Sequence, residues 1–124
     1  MASSLAARVN DANEWGADYF ISLHANSSEI SSASGTEAFV YRRDSAAEDL
    51  ADDLVLRVTE ATGLEDRGVF ARPGLYVLRK TRMPAVLIEL GFVTNRRDAE
   101  LMAYSPGLFA VGIANGLLTY LASD

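Results

Sequence analysis

The sequence predicts an α/β fold with a mixed β-sheet, and three observations favour it. Hydrophobic residues make up 49% of the 124 residues, which is enough to bury the core of one domain. Short apolar stretches typical of strands are interspersed with segments that have apolar residues at helical spacing, in the order helix, strand, strand, helix, strand, strand, helix, helix. Turn signals separate these segments and no linker divides them. We therefore expect residues 1–124 to form a single domain.

The first half of the chain predicts two helices and two strands. Each helix has a serine at its start and a glycine, Gly16 or Gly63, at its end, and Ser45 and Glu48 have capping-box spacing in the second helix. The first strand is so continuously apolar that we expect it to be covered on both faces. The predicted ranges are a helix over 5–15, a strand over 18–24, a loop over 25–35, a strand over 36–41 and a helix over 46–62.

The second half predicts two short buried strands and two helices. The strands are apolar runs separated by a segment that contains Pro84, and a turn signal, Arg72-Pro73-Gly74, precedes them. The last helix begins at Ser105-Pro106, a cap followed by proline at the first helical position. The predicted ranges are a loop over 67–74, strands over 75–78 and 85–90, and helices over 97–103 and 106–121.

Composition excludes several classes of function. The formal net charge is −6, with 11 Lys and Arg against 17 Asp and Glu; nucleic-acid-binding domains normally carry a basic surface, so we expect no nucleic-acid partner. No apolar run approaches the ~18 residues of a membrane-spanning helix, and the first residues do not resemble a signal peptide. Cysteine is absent, which excludes disulfides and thiolate ligands. Histidine occurs once, as His24.

Two polar residues stand at the C-terminal ends of apolar strands. His24 ends the first strand, and Glu89 lies between Ile88 and Leu90. This edge of an open α/β sheet is where sites form, and a buried carboxylate needs a cation or a bound water beside it. An imidazole that binds Zn²⁺ and a carboxylate that accepts a proton would together serve metal-assisted hydrolysis. A structural histidine and a solvated glutamate are the alternatives that these residues leave open.

Four stretches resemble the zinc-dependent N-acetylmuramoyl-L-alanine amidases of the type 3 family. Residues 16–26, GADYFISLHAN, are similar to the family's second histidine motif, and residues 35–41, GTEAFVY, to the strand that follows it. Residues 75–79, LYVLR, and 83–95, MPAVLIELGFVTN, resemble its last two strands and its catalytic-glutamate signature. The resemblance implies a mixed, mostly parallel sheet flanked by helices on both faces, a phosphorylase/hydrolase-like amidase fold that lacks its N-terminal part.

The resemblance also implies a reaction and a location. The reaction is hydrolysis of the amide between the N-acetylmuramoyl group and L-alanine in peptidoglycan, in the cell envelope or outside the cell. By the same resemblance, His24 is a zinc ligand and Glu89 is the general base that activates water. Asn26 and Arg79 are candidates for contacts to the stem peptide or the sugar, and each has a structural role as its alternative.

The expected zinc site is incomplete in this sequence. The family's first histidine and its glutamate ligand precede the matched region, and nothing in the pattern supports Glu37 or Asp18 as substitutes. We therefore expect this chain alone to bind Zn²⁺ poorly and to hydrolyse muropeptides slowly or not at all. Uncovered sheet edges favour association, so we also expect a homodimer or a complementing fragment.

Two interpretations without catalytic activity stay open at this point. One is a noncatalytic domain that binds cell-wall fragments or a partner. The other is an α/β domain that is similar to amidases in its scaffold alone.

Overall fold

The structure is a computed structural model that describes residues 4–123. Its helices and strands are interspersed along the chain, as the sequence predicts for an α/β fold. Their order and bounds are α1 (Leu5–Trp15), β1 (Phe20–Asn26), β2 (Thr36–Val40), α2 (Ala46–Thr62), β3 (Asp66–Ala71), α3 (Tyr76–Arg79), β4 (Ala85–Phe92), α4 (Arg96–Tyr104) and α5 (Pro106–Ala122).

The four strands form one mixed sheet in the order β1-β4-β2-β3. β1 is parallel to β4 and β2 is parallel to β3, whereas the central pair, β2 and β4, is antiparallel. Helices pack on both faces of this sheet. The predicted fold class, a mixed and mostly parallel sheet flanked by helices on both faces, is confirmed.

One face of the sheet is covered by α2 and α5. Leu50 and Leu54 of α2 and Ile88 of β4 are fully buried there. Two glycines let α5 approach α2 closely: a Cβ at Gly112 would lie 2.5 Å from the Cα of Val58, and a Cβ at Gly116 would meet the backbone of α2 at 2.7 Å. This face holds the larger of the two core clusters.

The opposite face is covered by α1 and α3. Its core is a smaller cluster built around Val9 of α1, Val77 and Leu78 of α3, and Ala85 and Leu87 of β4. Leu87 and its neighbour Ile88 point to opposite faces because side chains alternate along a strand. The smaller cluster leaves room on this face for polar side chains.

The helix ends follow the predicted capping. Ser4 accepts a hydrogen bond from the Ala7 amide at 3.0 Å, and Gly16 ends α1 in the left-handed conformation at φ 75°. Ser45 accepts from the Glu48 amide at 3.2 Å, so half of the predicted capping box is present. The Glu48 carboxylate does not complete the box, because it accepts from the Asp44 amide and pairs with Arg43 instead.

α4 and α5 meet at Ser105. This residue is the N-cap of α5, as predicted, but its side chain makes no capping hydrogen bond, and Pro106 occupies the first helical position. Within residues 4–123 no single helix is long and apolar enough to cross a membrane. The pair α4 and α5 reaches that length and composition only when both are counted together, and the two are bent by 83°.

Three sequence predictions are wrong in detail. The run at 75–78 is the short helix α3, not a strand; successive residues Val77 and Leu78 are both buried, and an apolar run this short does not distinguish the two structures. Residues 66–71 form the strand β3 where a loop is predicted, because only Val69 of this strand is buried and its apolar signal is weak. β1 is not covered on both faces: Leu23 is 53% exposed.

Candidate active site

One imidazole and two carboxylate side chains lie in a row across three adjacent strands. His24 of β1 is the register partner of Glu89 of β4 in the parallel pair. Glu37 of β2 is the register partner of Glu89 in the antiparallel pair. Register partners point to the same face of a sheet, which here is the face under α1 and α3. The sheet therefore brings together the two predicted residues, His24 and Glu89, and adds Glu37.

His24 is held by its own strand. Its Nε2 lies 2.7 Å from Ser22 Oγ, two residues earlier on the same face. Burial and, secondarily, the positive charge of Arg8 on α1 lower the pKa of the His24 imidazole. Both causes favour the neutral ring, which is the form that donates a nitrogen lone pair to a cation.

Glu89 is a carboxylate in a largely apolar setting. Its Oε2 is buried and has no hydrogen-bond partner among residues 4–123. Burial, and after it the negative charge of Glu37, raise the pKa of the Glu89 carboxyl. A carboxylate with a raised pKa and a free oxygen is suited to accept and return a proton near neutral pH.

Glu37 is engaged by its neighbours, in contrast to Glu89. Arg67 of β3 donates from Nε to Glu37 Oε2 at 3.0 Å, and Asn26 Nδ2 lies 3.5 Å from Glu37 Oε1. The Arg67 guanidinium also lies 4.9 Å from the centre of the Phe92 ring. The pairing register of β1 and β4 shifts between His24 and Asn26, and such an irregularity re-aims side chains at a sheet edge.

A cavity of about 310 Å³ opens beside this row. His24 and Glu89 line it together with apolar side chains from α1, β2, α3 and β4. Few polar groups in an apolar surround are typical of small-molecule sites. The cavity thus leaves space for a small molecule beside Glu89.

The other candidates lie in different places. Asn26 contacts the row through Glu37, because its Nδ2 lies 3.5 Å from Glu37 Oε1. Arg79 ends α3 and lines a second cavity, together with Pro84 and Ala85 at the start of β4, so the structure does not bring it to Glu89. Asp18 precedes β1, at the opposite end of that strand from His24.

The residues present do not complete a metal site. No group of three or more His, Cys, Asp or Glu side chains within residues 4–123 is arranged to hold a metal ion. The chain has one histidine and no cysteine, whereas catalytic zinc sites take three protein ligands. His24 therefore offers one ligand of such a site, and the described residues do not provide the rest.

Almost the whole length of the chain matches a known family. The family model described as N-acetylmuramoyl-L-alanine amidase matches residues 2–119. The chain belongs to this family.

Its similarity to individual members is substantial. It is 39% identical over 120 residues to the N-acetylmuramoyl-L-alanine amidase CwlM of Bacillus licheniformis, covering 92% of this chain and 45% of that protein. An N-acetylmuramoyl-L-alanine amidase from Clostridium difficile 630 has the same fold, with a TM-score of 0.90, 31% identity, and coverage of 100% of this chain and 68% of that one. The catalytic domain of CwlV from Bacillus (Paenibacillus) polymyxa gives a TM-score of 0.85 at 36% identity, covering 100% and 69%. The chain spans less than half the length of the curated CwlM relative.

Two residues of this candidate site are not found by sequence reasoning. Arg67 falls in a stretch predicted as a loop, so nothing places it beside the site. Glu37 enters the sequence analysis only as a substitute zinc ligand that nothing in the sequence pattern supports. The alternation of buried Thr36, Ala38 and Val40 along β2 is the signal that would assign Glu37 to the opposite face.

Proposed function

We propose that this amidase-family chain hydrolyses the amide between the N-acetylmuramoyl group and L-alanine of peptidoglycan, in the cell envelope or outside the cell. The observation that carries the proposal is the pairing of His24 with Glu89, whose Oε2 is buried and unpartnered within residues 4–123. The names of the relatives support peptidoglycan as the substrate class.

The role of Glu89 follows from its setting. Its carboxylate takes a proton from the water whose oxygen forms the new bond to the amide carbon. When the carbon–nitrogen bond breaks, the same Oε2 returns that proton to the departing amino group of L-alanine. The raised pKa of Glu89 favours this exchange, because the acid and base forms are then closer in free energy near neutral pH.

Zinc activation of that water is the finer part of the proposal. His24 would supply one ligand, and the others would come from outside residues 4–123: from further polypeptide, a second copy or a complementing fragment. Zinc, when bound, would make the water a stronger acid. The described residues do not complete the site, and the proton transfers assigned to Glu89 depend on its own carboxylate.

A second candidate function is binding without hydrolysis. The incomplete set of metal donors favours it, and the cavity beside Glu89 would still accept a cell-wall fragment or part of a partner. The two candidates predict the same binding and differ in turnover.

The test combines zinc content with cleavage of purified peptidoglycan, for this chain and for a version extended at its N-terminus to the length of the relatives' catalytic domain. In any form that cleaves, we expect Glu89→Gln to reduce the rate at least about 100-fold, the lower range for a general base. Glu100→Gln is the matched control, because Glu100 pairs with Arg96 on the exposed surface of α4. Equal rates for the two variants would overturn the role of Glu89. Peptidoglycan binding without cleavage in either form would favour the second candidate.

A further inference from the structure

A second cavity, of about 500 Å³, lies at the end of the sheet where β2 finishes and β4 begins. Three arginines line it from two segments of the chain. Arg42 follows β2, Arg79 is the last residue of α3, and Arg82 lies between α3 and β4. The acidic chain thus gathers three of its 11 basic residues around one cavity.

The charges of this cavity are not neutralised. No hydrogen bond or ion pair to residues 4–123 is made by the guanidinium of Arg79 or Arg82, and Arg42 reaches only the Asp44 carbonyl oxygen, at 3.4 Å. No Asp or Glu is among the described residues that line the cavity. The nearby carboxylate of Glu48 is occupied by Arg43, at 2.6 Å.

The charged side chains that line this cavity are all hydrogen-bond donors. Besides the three arginines, the polar residues Tyr41, Ser45 and Thr81 line it, and the Ser45 and Thr81 hydroxyls donate to the carbonyl oxygens of Arg42 and Val77. Guanidinium groups bind phosphate and carboxylate oxygens through paired, charge-assisted hydrogen bonds. The neighbouring side chains of Leu78, Met83 and Pro84 are apolar, so the three guanidinium groups are the charged groups of this cavity.

We propose that this cavity is an anion-binding site for a phosphate or carboxylate group carried by a larger molecule. The site is separate from Glu89: Ala85 lines the cavity, and four residues of β4 place Glu89 about 13 Å further along the strand. The proposal does not rest on amide hydrolysis, so either one can fail alone. It also gives Arg79 a role apart from the reacting amide.

The test measures binding of inorganic phosphate and, separately, of citrate by calorimetry and by the NMR signals of the arginine side chains. The cavity variant is Arg79→Gln with Arg82→Gln. The matched control is Arg96→Gln with Arg97→Gln, which changes the net charge equally but alters α4, away from this cavity. All four side chains are exposed, so we expect both variants to fold, and thermal unfolding checks this.

We expect saturable binding that weakens at least about tenfold in the cavity variant and less than about twofold in the control. Tighter binding of phosphate identifies a phosphate-bearing ligand, and tighter binding of citrate a carboxylate-bearing one. Equal weakening in both variants would show attraction to net charge alone and would overturn the proposal. Absence of saturable binding of both anions would overturn it as well.

Discussion

The sheet face under α2 and α5 is packed with fully buried aliphatic side chains, whereas the face under α1 and α3 carries His24, Glu89 and Glu37 above a smaller cluster. Both faces use the same strands, and successive residues of β4 serve them in turn. The difference teaches that one face supplies most of the stability. The other face is less tightly packed and holds polar side chains in a partly apolar setting, where burial lowers the pKa of His24 and raises the pKa of Glu89.

Substitutions of two adjacent residues of β4 give the strongest test of the difference between the two faces of the sheet. Ile88 is fully buried under α2 and α5, and Leu87 is 7% exposed on the site face. We expect Ile88→Ala to lower the free energy of unfolding by about 4 kcal/mol and Leu87→Ala by about 2 kcal/mol, because the cost of a lost side chain grows with the cavity left behind. Urea denaturation measures both. Equal losses would contradict the division between the two faces.

The close approach of α5 to α2 gives the next largest effect. A Cβ at Gly112 would lie 2.5 Å from a backbone atom of α2, whereas a Cβ at Gly107 meets nothing within 4 Å. We expect Gly112→Ala to destabilise the protein by about 2 kcal/mol, as overpacking does. Gly107→Ala, the control, should be neutral or slightly stabilising because alanine favours helix. Thermal unfolding of the two variants separates packing from helix propensity, and equal Tm values would refute the tight contact.

Two carboxylates, the fully buried Asp98 and the partly buried Glu89, give the smallest expected changes in stability, and these changes have opposite signs. Asp98 is fully buried and accepts from the Gly35 and Phe92 amides at 3.0 and 2.9 Å, whereas Glu89 Oε2 has no partner among residues 4–123. We expect Asp98→Asn to lower the free energy of unfolding by about 2 kcal/mol. The asparagine side chain carries an NH2 group, which is a donor and can face the backbone N–H donors that the carboxylate accepts from. Glu89→Gln should stabilise by up to about 1 kcal/mol at neutral pH, a small value because solvent reaches part of this side chain.

The pH dependence of the Glu89 effect has a definite sign. Its folded-state pKa lies above the ordinary 4.5, so the folded protein holds that proton more tightly than the unfolded chain does. The protein therefore loses stability as pH rises from about 4.5 through the folded-state pKa. Glu89→Gln removes this loss, so its advantage in Tm should grow over that range. An advantage that shrinks as pH rises would show that Glu89 gains a favourable partner when ionised.

Local signals predicted much of the fold. Ser4, Gly16, Ser45 and Gly63 set the ends of α1 and α2 because capping depends on neighbouring residues only. The short run at 75–78 was not predictable in this way, since a four-residue apolar segment suits a helix or a strand until a sheet is there to pair with it. The position of Arg67 beside Glu37 is likewise not predictable, because β3 is defined by its pairing with β2 and not by its own apolar residues.

The amino-acid sequence by itself determined the α/β class, the family, and the identity of His24 and Glu89 as the chemically distinctive residues, because these follow from motifs and from the spacing of apolar residues. Only the tertiary structure decided that Glu37 and Arg67 join that row, that Arg79 stands apart with Arg42 and Arg82, and that Glu89 has an unpaired oxygen among the described residues. Strand order and register bring together residues that are distant along the chain, and neither can be deduced from local spacing.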